Sequence, residues 1–135
     1  MKFRYKRYSP TILRPVIPIL IANKNVSIQY EVLIDSGADI CIFDAEIAEI
    51  LGITIQSGEK QTVSGITGIP EFYYLHAVTL IIGGHKHKTK VGFLKNYNNQ
   101  SYGVVGQKGF FDKYSVKFDL NKEEIELKEN SKLLN

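Results

Sequence analysis

Asp35 opens the run Asp35-Ser36-Gly37-Ala38-Asp39, a carboxylate followed by a small hydroxyl residue and a glycine. This order suits an acid held rigidly by backbone and hydroxyl hydrogen bonds, with Gly37 letting a second backbone or a substrate come close. The chemistry open to such a carboxylate is general acid–base catalysis. By itself Asp-Ser-Gly is also a common turn sequence, so the tripeptide needs its surroundings to carry meaning. Two other groups invite a chemical reading. His85-Lys86-His87 sets two imidazoles on one face of a strand, a zinc-like spacing, but Lys86, Lys88 and Lys90 repel a cation and a solvated hairpin is the better reading. Cys41 follows Ile40 in an apolar stretch and reads as a small buried residue rather than a nucleophile.

The elements that must position Asp35 are legible from hydrophobic period. Val26, Ile28, Tyr30, Val32 and Ile34 are apolar at every second position, which predicts a half-buried strand delivering its last residue to Asp35. Pro15 to Ala22 predicts a strand before it, with Pro18 tolerated at an edge and Asn23-Lys24-Asn25 as the turn. Asp44 can cap a short helix over Ala45 to Leu51, stopped by Gly52. Gln61 to Ser64 and Ile69 to Leu75 predict strands around Gly65-Ile66-Thr67-Gly68, whose paired glycines mark a hairpin tip. A second hairpin turns at Gly83-Gly84, between Ala77 to Ile82 and a Lys-rich return strand to Leu94. After the apolar pair Val104-Val105, a short helix is expected over Lys108 to Tyr114, then a hairpin of Val116 to Asp119 and Glu124 to Leu127. The expected class is all-β with one or two short helices.

Taken together, these residues identify a resemblance. Val32-Leu33-Ile34-Asp35-Ser36-Gly37-Ala38-Asp39 resembles the active-site motif of retropepsin-like aspartic proteases, and Tyr102-Gly103-Val104-Val105-Gly106 is similar to that family's second hallmark. The order of catalytic loop, glycine-rich flap and closing strand also matches, and the resemblance covers roughly residues 12 to 127. It implies a single-lobed closed β-barrel and peptide-bond hydrolysis by an aspartic endopeptidase, with no cofactor and no metal. The motif occurs once, whereas aspartic proteolysis needs two carboxylates close enough to share a proton. The resemblance therefore implies a homodimer with one Asp35 from each subunit. Within it, Ser36 resembles the hydroxyl that bonds across the dimer, and Gly37 would offer its carbonyl to an extended peptide or protein substrate. Ala38 and Asp39 would lie beside that substrate, Gly65, Ile66 and Gly68 would cover it as the flap, and Ile42, Tyr102 and Val104 would line its pockets.

The chain departs from the retroviral pattern in three places. Gln107 stands where those enzymes usually carry an Arg that pairs with the acidic residue at Asp39. Thr67 occupies a flap position where glycine is common. The C-terminus runs on into a hairpin, where the retroviral enzymes end soon with an interface strand. These differences motivate an alternative, a non-catalytic module that keeps the fold and holds a peptide by strand addition.

Composition sets the outer bounds. A chain of 135 residues is one domain's worth, and 44% apolar with 23% charged residues excludes disorder, collagen-like repeats and a coiled coil. A single cysteine cannot make an intrachain disulfide, and the longest apolar run, Val16 to Ala22, is too short to span a bilayer, so a cytoplasmic location without membrane attachment is expected. Lys2, Arg4, Lys6 and Arg7 contribute four positive charges to a net charge of +3, leaving the rest of the chain at −1, which marks residues 1–8 as a basic tail before a domain of residues 9–130. Its mixture of cations with Phe3, Tyr5 and Tyr8 resembles nucleic-acid contacts, but seven residues without a folded basic patch do not support a nucleic-acid partner. Met1 and the extra ends suggest a free-standing protein.

Overall fold

The computed structural model describes residues 1–64, 70–97 and 101–130. Among the described residues the elements follow in order: β1 (Lys2–Arg4), β2 (Lys6–Ser9), β3 (Ile12–Arg14), β4 (Val16–Asn23), β5 (Val26–Ile34), β6 (Ile42–Asp44), α1 (Ala45–Ile50), a 3-10 turn (Ile55–Ser57), β7 (Glu59–Ser64), β8 (Pro70–Ile82), β9 (His85–Leu94), β10 (Gly103–Val105), β11 (Tyr114–Asp119) and β12 (Glu124–Glu129). Six strands close on themselves in the order β4-β5-β10-β6-β9-β8, with β8 returning to β4 through Leu20↔Ile81, Ile21↔Leu80 and Ala22↔Thr79. This is a small closed barrel, with β7 added to the outer part of β8.

The barrel closes because its strands alternate. Ile17, Ile19 and Ile21 of β4 are buried, while Pro18 and Leu20 between them are exposed. Val32 and Ile34, Phe43, Val78, Leu80 and Ile82, Phe93 and Val105 fill the same interior. Each such side chain contributes about 1.5–3 kcal/mol on burial, before conformational entropy is set against it. Burial along β5 deepens toward its end: Val26 is 40% exposed, whereas Val32 and Ile34 are 0% and 4% exposed. The strand is thus anchored most firmly where it hands over to Asp35.

The turns agree with their residue types. Gly83 and Gly84 have φ of 56° and 87°, the left-handed pair that a two-residue hairpin between β8 and β9 requires. Asp44 caps α1, its carboxylate accepting the Glu46 N–H at 3.0 Å, and the helix stops at Leu51 before Gly52 at φ 73°.

Three local expectations change. The segment over Lys108 to Tyr114 forms turns instead of a regular helix, because Gly109 sits at φ 99° and the backbone bonds are taken elsewhere. Lys108 N–H goes to Asp39 O at 3.0 Å, and Gly109 N–H goes to the Asp112 carboxylate at 3.0 Å. The strands expected before and after His76 are one continuous strand, β8, whose outer half pairs with β7 and whose inner half reaches β4. The basic segment is paired with the domain as strands: Phe3 pairs with Ile125, the Met1 ammonium donates to Leu127 O at 2.9 Å, and β2 pairs with β3. Its cations and aromatics contact each other, with Tyr8 between Lys6 at 5.3 Å and Arg14 at 4.9 Å. Among the described residues no helix is long and apolar enough to cross a membrane.

Candidate active site

Asp35 follows β5 directly, and the first bond that places it comes from β10: Asp35 N–H donates to Val105 O at 3.0 Å. β10 lies parallel to β5, with Val104↔Leu33 and Val105↔Ile34 in register. It is wedged between β5 and β6, so residues distant in sequence enter the middle of the loop that joins those two strands. The loop then closes on itself. Ala38 N–H donates to Asp35 O at 3.2 Å, and the Gly37 N–H donates to Asp35 Oδ1 at 2.9 Å. A backbone N–H aimed at one carboxylate oxygen fixes the side chain while leaving the other oxygen open for chemistry.

The second motif clamps this loop. Gln107 N–H donates to Ala38 O at 2.8 Å, and the Gln107 amide donates from Nε2 to Ser36 O at 3.1 Å. Where the retroviral pattern has an ion pair to Asp39, Gln107 bonds the Ser36 carbonyl, and among the described residues Asp39 has no ion-pair partner. Gly106 makes the approach possible. A Cβ there would stand 2.4 Å from Ala38 O and 2.7 Å from Ile40 O.

The structure places the other expected residues unevenly. Ser36, Gly37 and Asp39 are exposed, while Asp35 and Ala38 are half-buried. Ile42 and Val104 are direct cross-strand neighbours, both half-buried. Tyr102 is buried, and its hydroxyl accepts a bond from Arg14 at 3.2 Å. Its ring also meets Tyr8 edge-on, with centroids 6.1 Å apart. Gly65, Ile66 and Gly68, expected as the flap tip, lie outside the described residues, although β7 and β8 form the hairpin arms that lead to them. The Arg14, Tyr8 and Tyr102 cluster went unseen in the sequence, since nothing local links residues so far apart; the cation–aromatic alternation of Lys6, Tyr8 and Arg14 was the available signal.

The rival groups have structural partners. Cys41 is fully buried, its thiol donating to Lys108 O at 3.4 Å, and burial pushes its pKa up to about 11. Because the shift is upward, on the order of 100-fold less thiolate is present below the ordinary pKa than an exposed cysteine would show. The same shift favours the native fold fully below the unfolded pKa and loses that contribution as pH rises from there toward 11. Native protein is expected to react with a thiol reagent at pH 8 at least tenfold more slowly than protein in denaturant; equal rates would show Cys41 to be accessible. His87 Nε2 lies 2.7 Å from Gly109 O, and His85 Nδ1 lies 3.4 Å from Glu129. Among the described residues no three His, Cys, Asp or Glu side chains gather as a metal site.

Comparison with known structures agrees with this fold. A retropepsin-like aspartic protease from Rickettsia conorii superposes with a TM-score of 0.65 at 16% identity, over 94% of this chain and 89% of that one. The chain has a retropepsin-like fold. EIAV protease, in an inhibitor complex, superposes with a TM-score of 0.52 at 21% identity, over 76% of this chain and 88% of that one. No family sequence profile matches the chain, and no curated protein is similar to it in sequence.

Proposed function

We propose that this chain is a homodimeric aspartic endopeptidase in which Asp35 of each subunit supplies half of the catalytic pair. The observation that carries the reading is the seating of Asp35: an oriented carboxylate, bonded by Gly37 N–H at 2.9 Å, on an exposed loop that the second motif braces from behind. One such loop per chain makes a single carboxylate, and two-fold symmetry supplies the second.

In the proposed reaction the ionised carboxylate takes a proton from a water held between the pair as that oxygen attacks the scissile carbonyl. The partner subunit's Asp35, protonated, donates to the carbonyl oxygen. Collapse of the tetrahedral intermediate breaks the C–N bond as a proton passes to the leaving amine. Ser36, exposed at the loop tip, would bond across the two-fold axis, and the Gly37 carbonyl would hold the backbone of an extended peptide. Ala38, Asp39, Ile42, Tyr102 and Val104 would contact its side chains, with Gly65, Ile66 and Gly68 closing over it.

A site assembled from two chains makes activity depend on association. Specific activity is expected to fall as the enzyme is diluted below its dimer dissociation constant, approaching a second-order dependence on chain concentration. The check is cleavage of an unfolded protein substrate over a dilution series, with sedimentation run in parallel. Activity strictly proportional to chain concentration, across a range in which sedimentation shows dissociation, would oppose the proposal.

A further inference from the structure

β9 carries three lysines on one face. Lys86, Lys88 and Lys90 are exposed, whereas His87 and Thr89 between them are half-buried. Strand geometry spaces the three by about 6.7 Å, a row of roughly 13 Å. The cross-strand rows hold no acid to answer them. Lys86 is in line with Ile81, Leu20 and Gln29, Lys88 with Thr79, Ala22 and Ser27, and Lys90 with Ala77. Among the described residues none of the three makes an ion pair, and Glu31, further along β5 from Gln29, is taken up by Lys6. Like charges within a Debye length of about 8 Å repel, and a bound anion offsets that repulsion. The row also runs between two apolar places. Beyond Lys90 the next residue on this face is Gly92, where a Cβ would stand 2.7 Å from both Ile42 Cδ1 and Tyr73 Cδ2, and Ile42 is a residue placed beside the substrate in the proposed reaction. At the other end Ile81, directly opposite Lys86, joins Pro18, Leu20, Gln29, Gly83 and Gly84 in an open groove of about 340 Å³. Leu20 is 39% exposed there.

We propose that this face docks an acidic, extended segment of the protein substrate outside the residues that enter the cleft, with carboxylates on Lys86, Lys88 and Lys90 and an apolar side chain in the groove. An extended peptide turns every second side chain to one side with the same period of about 6.7 Å, so one carboxylate meets each lysine. A nucleic-acid strand matches the charge but not the surroundings: the rows beside the lysines offer Ile81, Thr79, Ala77, Leu20 and Ala22, and no ring on which a base stacks. The proposal rests on the endopeptidase reading and deepens it by naming the substrate class, proteins with an acidic stretch near the cleavage site. Docking there holds the cleavable segment at high effective concentration without entering the chemistry.

Fluorescence anisotropy on the Asp35→Asn protein reads binding with no cleavage to follow it. The probe is a labelled peptide of alternating Glu and Ser with a terminal Leu, set against the same peptide with Gln for Glu. At low salt the acidic peptide is expected to bind about tenfold or more tightly than its Gln counterpart. That preference is expected to vanish when Lys86→Gln, Lys88→Gln and Lys90→Gln are combined, substitutions at exposed positions that leave the barrel interior untouched. In the catalytically intact protein, appending the acidic segment to a cleavable peptide is expected to lower KM by about tenfold and leave kcat alone, and the triple variant to lose this difference. Equal binding of the two peptides, a preference that survives the triple substitution, or an unchanged KM would overturn the docking site and leave the endopeptidase reading standing. A single-stranded oligonucleotide of matched charge that binds about tenfold more tightly than the peptide would overturn the peptide as occupant. Lysine-dependent peptide binding by a wild-type protein that cleaves neither substrate would uphold the peptide site and remove the endopeptidase reading.

Discussion

Asp35→Asn is expected to lower peptide-bond cleavage by on the order of 10³-fold or more, the scale of removing a positioned acid–base group. The substitution is chosen because it is close to isosteric. The Asn side-chain oxygen can still accept the Gly37 N–H that now reaches Asp35 Oδ1 at 2.9 Å, and the backbone bond from Asp35 N–H to Val105 O is untouched. The fold should therefore survive while the ionisable oxygen pair is lost. Unfolded protein substrate incubated with both proteins from about pH 4 to 7 reads the effect, and cleavage by wild type should fade toward the upper end as the shared proton is lost. Equal cleavage by the variant would remove the catalytic role of Asp35, whatever the fold.

Gly106→Ala is expected to destabilise the protein by about 3 kcal/mol, at the upper end for overpacking. The added Cβ would lie 2.4 Å from Ala38 O and 2.7 Å from Ile40 O, both backbone atoms that cannot rotate away. Relief requires pushing the 35–40 loop off β10, which costs the bonds from Gln107 N–H to Ala38 O and from Lys108 N–H to Asp39 O. For a domain of this size the loss amounts to a drop in Tm of roughly 10 °C. Because the displaced loop carries Asp35, cleavage should fall even at temperatures where the variant remains folded. A variant melting within about 1 °C of wild type would mean that the loop is not packed as described.

Much of this was legible in the sequence because it is written locally. The period-two run from Val26 to Ile34 marked β5 and the position of Asp35 at its end, and Asp44, Gly52 and Gly83-Gly84 marked a cap, a stop and a turn by their backbone requirements. Harder to see were features whose partners are distant. β6 is only three residues long, so Ile42–Asp44 has no period to read; it exists because β10 and β9 flank it. The helix expected over Lys108 to Tyr114 had the right spacing of Phe110, Phe111 and Tyr114. Yet Lys108 N–H is bonded to Asp39 O, Gly109 O meets His87 Nε2 and Gly109 sits at φ 99°, which outweighs a short run of helical spacing. The same applies at the site. Asp35, Ser36 and Gly37 announce themselves, but that Gln107 grips the Ser36 carbonyl, leaving Asp39 without an ion pair, follows only from how β10 enters the loop.

The departure at Gln107 also bears on how the loop is held. A neutral amide bond of 3.1 Å is weaker than a buried ion pair at its best, but it needs no charge partner and is insensitive to pH in the acid range where an aspartic pair works. Loop rigidity then rests mainly on backbone bonds from β10 and on the close approach at Gly106, which explains why the Gly106 substitution is expected to be felt at the site and in the fold alike.

The most direct measurement is the activity of a purified heterodimer, isolated through two affinity tags, with one wild-type subunit and one Asp35→Asn subunit. If both Asp35 carboxylates form one site, the heterodimer is expected to be inactive, about 10³-fold below the wild-type dimer. A heterodimer retaining about half of wild-type activity would show that each chain carries an independent site, and would contradict a catalytic pair shared across the two-fold axis.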